Sequence, residues 1–170
     1  MQSQSDLLRN IQEYSSAKVW IMCENIRSAY NVGAILRTAD GTGQTGLLMA
    51  GYTPLPDHPK VKKTSLGAEK TVPWIQLEKD YISQLSQIEP QIPLYSLEIT
   101  SQAASVFDYE WTGEPIIIVV GNEVEGVTSE LLQLSNKHLY IPMQGKKQSL
   151  NVAEATSICM YEFLRKSLQK

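Results

Sequence analysis

Three polar clusters, each placed where an apolar run meets a turn or a helix start, hold the residues of this sequence best equipped to grip a ligand. The first is residues 25–40, NIRSAYNVGAILRTAD, in which Asn31 and Arg37 stand six apart. On a helix beginning at Asn31 that spacing does not place both side chains on one face, so their joint use requires a site that wraps around the helix start. The second is residues 116–130, IIIVVGNEVEGVTSE, where a buried run ends at Gly121 and is followed by Asn122, Glu123 and Gly126. Ligand sites of α/β folds lie at such strand ends. The third is residues 140–156, YIPMQGKKQSLNVAEAT, a strand, a glycine-bearing loop and a helix start with Ser149 and Asn151, where polar groups orient ligands.

The elements that must position these clusters are legible as alternating periodicities. Apolar, β-prone runs predict strands over 18–23, 46–50, 93–97, 115–120 and 138–142. Helical spacing predicts helices over 32–39, 81–88, 129–134 and 151–168, and residues 1–17 read as an N-terminal helical extension. Strands alternating with helices imply an α/β fold with a mainly parallel sheet flanked by helices. Asn151 stands three residues before Glu154, the spacing of a capping box. The prolines of GYTPLPDHPK, residues 51–60, predict a loop. No internal repeat or low-complexity stretch is present, so residues 1–170 are expected to form one domain.

Other features set limits. Residues 41–46, GTGQTG, match GxGxxG formally, but a dinucleotide fingerprint needs a strand before it and a helix after it, and here the order is reversed. Gly41 or Gly43 is therefore expected to end a helix in a left-handed conformation. His58 and His138 lack acidic or cysteine partners at catalytic or metal spacing and are given no role; no metal site is expected. Trp20, Trp74 and Trp111 sit beside apolar residues and are assigned to packing. Cys23 and Cys159 show neither zinc nor disulfide spacing, which fits a reduced, cytoplasmic compartment. The longest apolar runs are far too short for a bilayer span. A net charge of −3 argues against a general polyanion binder, so any RNA contact must use local clusters such as Lys60, Lys62, Lys63 and Lys70, or Lys146 with Lys147.

Taken in order, NVGAILRTAD, VVGNEVEG and IPMQGKKQSLNVAEA resemble the three motifs of the SpoU/TrmH family of RNA ribose 2′-O-methyltransferases, in the SPOUT superfamily, and KTSLGAEKTVPW resembles the family between the first two. The resemblance implies a SPOUT-type fold with a C-terminal trefoil knot, S-adenosylmethionine as cofactor, a homodimer in which one subunit's first motif completes its partner's cofactor pocket, and methyl transfer to a ribose 2′-hydroxyl; for so small a member tRNA is slightly favoured over rRNA as target. It implies a catalytic set of Arg37, Asn31, Glu123, Ser149 and Asn151, and cofactor contacts from Leu97, Gly121, Asn122, Ile141, Met143 and Leu150. Arg37 matches the family's catalytic arginine, read here first as an electrostatic clamp, with action as the base the second reading; Glu123, Ser149 and Asn151 are expected to hold it and the cofactor loop in register. Arg27, Lys60, Lys62, Lys63, Lys146 and Lys147 are the expected RNA contacts. Two rival readings are a catalytically silent RNA-binding or assembly protein with the same fold and a knotted base methyltransferase. The intact polar set argues against the first, and the arginine of the first motif against the second.

Overall fold

The strands are built from residues that suit burial on both faces. Ile116–Val120 (β6) is an unbroken branched aliphatic run, and every residue of it is buried, as are all those of Val19–Glu24 (β1) and Thr45–Ala50 (β2). Such runs belong to the middle of a parallel sheet covered on both sides. In the computed structural model, which describes residues 4–169, these strands join Trp74–Gln76 (β3), Leu94–Leu97 (β4), Ala104–Ser105 (β5) and Lys137–Tyr140 (β7) in one sheet of order β3-β2-β1-β6-β4-β7-β5. Each strand pairing in that sheet is parallel.

Alternation along β1 sends Val19, Ile21 and Cys23 into one apolar layer, and Trp20 and Met22 into the other. The first layer is covered by Ala29–Thr42 (α2) and Val152–Leu168 (α6), through residues such as Val32, Leu36, Met160 and Phe163. The second is covered by Gln4–Glu13 (α1), Tyr81–Ile88 (α4) and Ser129–Leu134 (α5), through Leu7, Leu85 and Leu131. Trp20 and Trp111 are buried and Trp74 packs against the first layer, in keeping with their assignment to packing.

Several expectations are corrected. The proline-rich stretch is not all loop: Pro59–Ser65 forms a helix (α3), with Pro59 in its first turn and the His58 imidazole accepting a hydrogen bond from Lys60 N at 3.1 Å. Proline suits this place because the N–H it lacks would have no helical partner there. His58, given no role from sequence, thus caps α3. The short strands β3 and β5 were not anticipated; neither has a periodicity long enough to register. α2 starts at Ala29, capped by the Ser28 hydroxyl, rather than near Asn31. Of the two glycines proposed to end it, Gly43 does so at φ 65°, its N–H bonding back to Ala39 and Asp40, and β2 follows directly. GTGQTG is therefore a helix exit and not a phosphate loop. No helix among the described residues is long and apolar enough to cross a membrane.

Candidate active site

The C-terminal ends of β4, β6 and β7 open into a cavity of about 540 Å³, a size typical of small-molecule sites. Its walls come from three segments, residues 97–100 at the end of β4, residues 120–127 at the end of β6 and residues 140–155 running from β7 into α6, together with Leu132 of α5. All six residues expected to contact a cofactor line it, namely Leu97, Gly121, Asn122, Ile141, Met143 and Leu150. Glu123, Ser149 and Asn151 line it too. Gly121 is required by close approach, because a β-carbon there would collide with the backbone of Gly126 and Val127. The turn after β6 is thereby pressed against itself, and its backbone forms one wall of the cavity.

Asn122 is 6% exposed and its carboxamide is fully committed. It donates to Asn25 O and to the Tyr52 hydroxyl, both at 2.9 Å, and accepts from Val124 N at 2.8 Å and Glu125 N at 3.0 Å. Its side chain therefore knits the ends of β1, β2 and β6 together.

Glu123 faces the start of α2. Its carboxylate accepts from Arg27 N at 2.9 Å, Ser28 N at 3.0 Å and Asn31 Nδ2 at 2.9 Å. Desolvation pushes the Glu123 pKa up, but the N–H donors of Arg27 and Ser28 and the Asn31 amide outweigh it and hold the group below its ordinary value. A carboxylate at a helix N-terminus is also favoured by the helix dipole. Asn31 continues the chain of contacts, its Oδ1 accepting from Asn151 Nδ2 at 3.3 Å. Asn151 in turn caps α6, its Oδ1 accepting from Ala153 N at 2.8 Å and Glu154 N at 3.4 Å. The first, second and third polar clusters are thus joined in the line Glu123, Asn31, Asn151, and the helix-cap reading of Asn151 is borne out.

Arg37 lies apart from this line. It is exposed, does not line the cavity, and its side chain forms no hydrogen bond or ion pair among the described residues; Glu123, expected to hold it, instead holds Arg27, Ser28 and Asn31. Six residues of helix carry it about 9 Å along α2 from Asn31. Arg27, Lys60, Lys62, Lys63, Lys146 and Lys147 are all exposed and none lines the cavity.

Sequence reasoning missed the wall after β4 beyond Leu97, where Glu98, Ile99 and Thr100 line the cavity, as well as Glu125 and Tyr140. The strand-end rule that singled out Gly121 to Glu123 applies equally to the end of β4, and would have found Glu98. Cys23 and Cys159 are buried, and burial pushes both thiols up to about 12, which leaves neither suited to nucleophilic chemistry.

Comparison with known proteins places this arrangement. Over 169 residues the chain is 28% identical to the tRNA (guanosine(18)-2′-O)-methyltransferase of Aquifex aeolicus, covering 96% of this chain and 76% of that protein. It is 28% identical to the 23S rRNA (uridine(2479)-2′-O)-methyltransferase of Streptomyces viridochromogenes over 87% of this chain and 53% of that protein, so it spans about half of that relative. The crystal structure of the SpoU methyltransferase AviRb from Streptomyces viridochromogenes in complex with the cofactor AdoMet superposes with a TM-score of 0.76, at 27% identity, over 89% of this chain and 61% of that one. The model of the SpoU rRNA Methylase family matches residues 18–161, a span that takes in the whole sheet, all three polar clusters and most of α6, and the chain belongs to that family.

Proposed function

We propose that this chain transfers a methyl group from S-adenosylmethionine to a ribose 2′-hydroxyl of RNA, acting as a homodimer. The observation that carries the reading is the cavity at the ends of β4, β6 and β7, whose lining combines the apolar Leu97, Ile141, Met143 and Leu150 with the Gly121 backbone, beside the Glu123, Asn31, Asn151 line. Such a lining fits a nucleoside-bearing cofactor: apolar side chains for a base, and backbone polar atoms for its edges. It also accords with family membership and with the AdoMet complex of AviRb.

Held by Leu97, Ile141, Met143, Leu150 and the Gly121 backbone, S-adenosylmethionine would supply an electrophilic methyl group for transfer to the ribose oxygen. The protein's part is to hold the accepting oxygen in line, which can supply much of the barrier reduction. Asn31, fixed between Glu123 and Asn151, is placed to orient the ribose-phosphate. Arg37 serves as a cation for the developing alkoxide and the neighbouring phosphate. We favour this role over action as the base, because giving up the proton would remove the charge that stabilises the alkoxide.

Because Arg37 is exposed and remote from its own chain's cavity, we assign it to the cavity of a second copy. Exposed Ile158 and Tyr161 on α6, the helix that packs beside α2, supply apolar area for that pairing. The C-terminal segment is read as the threaded part of a trefoil knot. RNA is held by Arg27, Lys60, Lys62, Lys63, Lys146 and Lys147, and tRNA is favoured over rRNA because the Aquifex relative, named for a tRNA guanosine, is matched over 76% of its length. A cytoplasmic location follows from such a substrate.

The test is transfer of labelled methyl to purified tRNA and rRNA, followed by mapping of the modified ribose. Arg37→Ala is expected to abolish transfer while cofactor binding persists. If the variant transfers normally, or loses the cofactor instead, the role given to Arg37 is wrong.

A further inference from the structure

The cavity lining contains Glu98, Glu123 and Glu125 and no lysine, arginine or histidine. Glu123 is turned toward the start of α2, where amide donors meet it. Glu98 is different. It stands at the C-terminal end of β4, with Oε2 accepting from Val127 N at 3.1 Å and Oε1 from Ile99 N at 3.0 Å. Both donors are neutral, and no salt bridge among the described residues involves Glu98. The seat is built for the carboxylate: Gly126 sits at φ 74°, and a β-carbon there would press on Glu98 Oε2. Two backbone bonds leave a carboxylate with further acceptor sites and with its full charge.

We infer that Glu98 is a specificity-determining residue that makes the cavity selective for the charge on the methyl donor. The inference rests on the cofactor assignment above. S-adenosylmethionine carries a sulfonium; the thioether left after transfer, S-adenosylhomocysteine, has the same adenosine and amino-acid ends but one positive charge fewer. A carboxylate without a counter-cation attracts the first and is indifferent to that difference in the second, because Coulomb energy needs a charge on both sides. Glu98 thereby favours loading of the donor and departure of the spent product. A hydrogen-bonding role toward the shared ends of the two molecules would not distinguish them.

Calorimetric titration of the full-length protein with each compound tests this. In the wild type the donor should bind more tightly than the thioether, and in Glu98→Gln the ratio of the two dissociation constants should shrink by about three- to ten-fold. The amide oxygen of glutamine can keep the Val127 bond, and taking the ratio within one variant cancels any general loosening of the cavity. An unchanged ratio, or equal weakening of both compounds, overturns the inference while leaving the cofactor assignment standing. Failure of the wild type to bind either compound overturns the cofactor assignment itself. Should Glu98→Gln not fold, Glu98→Thr, which also removes the charge, is read by the same ratio, and an unchanged ratio sinks the idea.

Discussion

Glu123 shows how a single carboxylate sets the geometry of a site without touching the atom usually called catalytic. Arg27 N and Ser28 N are donors at the start of α2, and the carboxylate takes both along with Asn31 Nδ2. Replacement by glutamine keeps one acceptor oxygen but brings an NH₂ toward a backbone N–H, so one of these bonds is lost and donor faces donor. We expect Glu123→Gln to lower stability by about 1 kcal/mol, and to reduce methyl transfer far more than cofactor affinity, since Asn31 loses its anchor while the apolar walls stay. Denaturant melts together with separate kcat and cofactor Kd measurements check this; an unimpaired kcat would show that Asn31 is oriented without Glu123. Because the folded Glu123 pKa is depressed, its contribution is present above the unfolded value and lost as pH falls through the folded one. The residue types and order of this line were legible in the sequence, but its connectivity was not. Asn31 meets residues 92 and 120 positions away, and spacing along one chain carries no information about which strand ends become neighbours.

At the scale of elements, long periodic segments announced themselves and short ones did not. Helices α4 and α5 fall at the predicted residues, and α6 differs by one residue at its start, where Asn151 is the cap. Strands of two or three residues such as β5 and β3 exist because a neighbouring strand offers hydrogen bonds, a tertiary cause that no local pattern encodes. β5 also leads into a fastening point. Lys166 on α6 donates to Val106 O at 2.8 Å, just past β5, and pairs with Glu162, which also takes two bonds from Arg165. Bonds from Arg165, only partly offset by burial, and then from Lys166 hold the Glu162 carboxyl at about 2 against an ordinary 4.5. The sign follows: this stabilisation is complete above pH 4.5 and is lost as pH falls from there toward 2. We expect Glu162→Gln to cost about 2 kcal/mol at pH 7, and the gap between variant and wild type to narrow steadily below pH 4.5. Chemical denaturation across that range decides it, and a gap independent of pH would mean that packing, not charge, fastens α6 to the segment after β5.

The whole molecule has to reconcile a complete cavity with an arginine that stands outside it. The resemblance in sequence predicted the residues of both and implied that one subunit's first motif completes its partner's pocket; Asn31 and Arg37 share a helix whose two ends serve different places. If Arg37 works in a partner's cavity, two crippled chains should repair each other. Consider Arg37→Ala, whose cavity is intact, and Gly121→Ala, whose added β-carbon collides with the Gly126 and Val127 backbone and so spoils the cavity while leaving Arg37 exposed. Each homodimer has two dead sites. A heterodimer has one site in which the sound cavity of the first chain receives the sound arginine of the second, and one site in which both are lost. Random pairing makes half of the dimers heterodimers, so co-expression of the two variants should restore about one quarter of wild-type transfer per site. Separately tagged chains, purified in tandem to isolate the heterodimer, should reach about one half. Activity that stays at the level of the homodimers in that purified heterodimer would place Arg37 in its own chain's site, and would require α2 to move relative to the line joining Glu123, Asn31 and Asn151 when RNA binds.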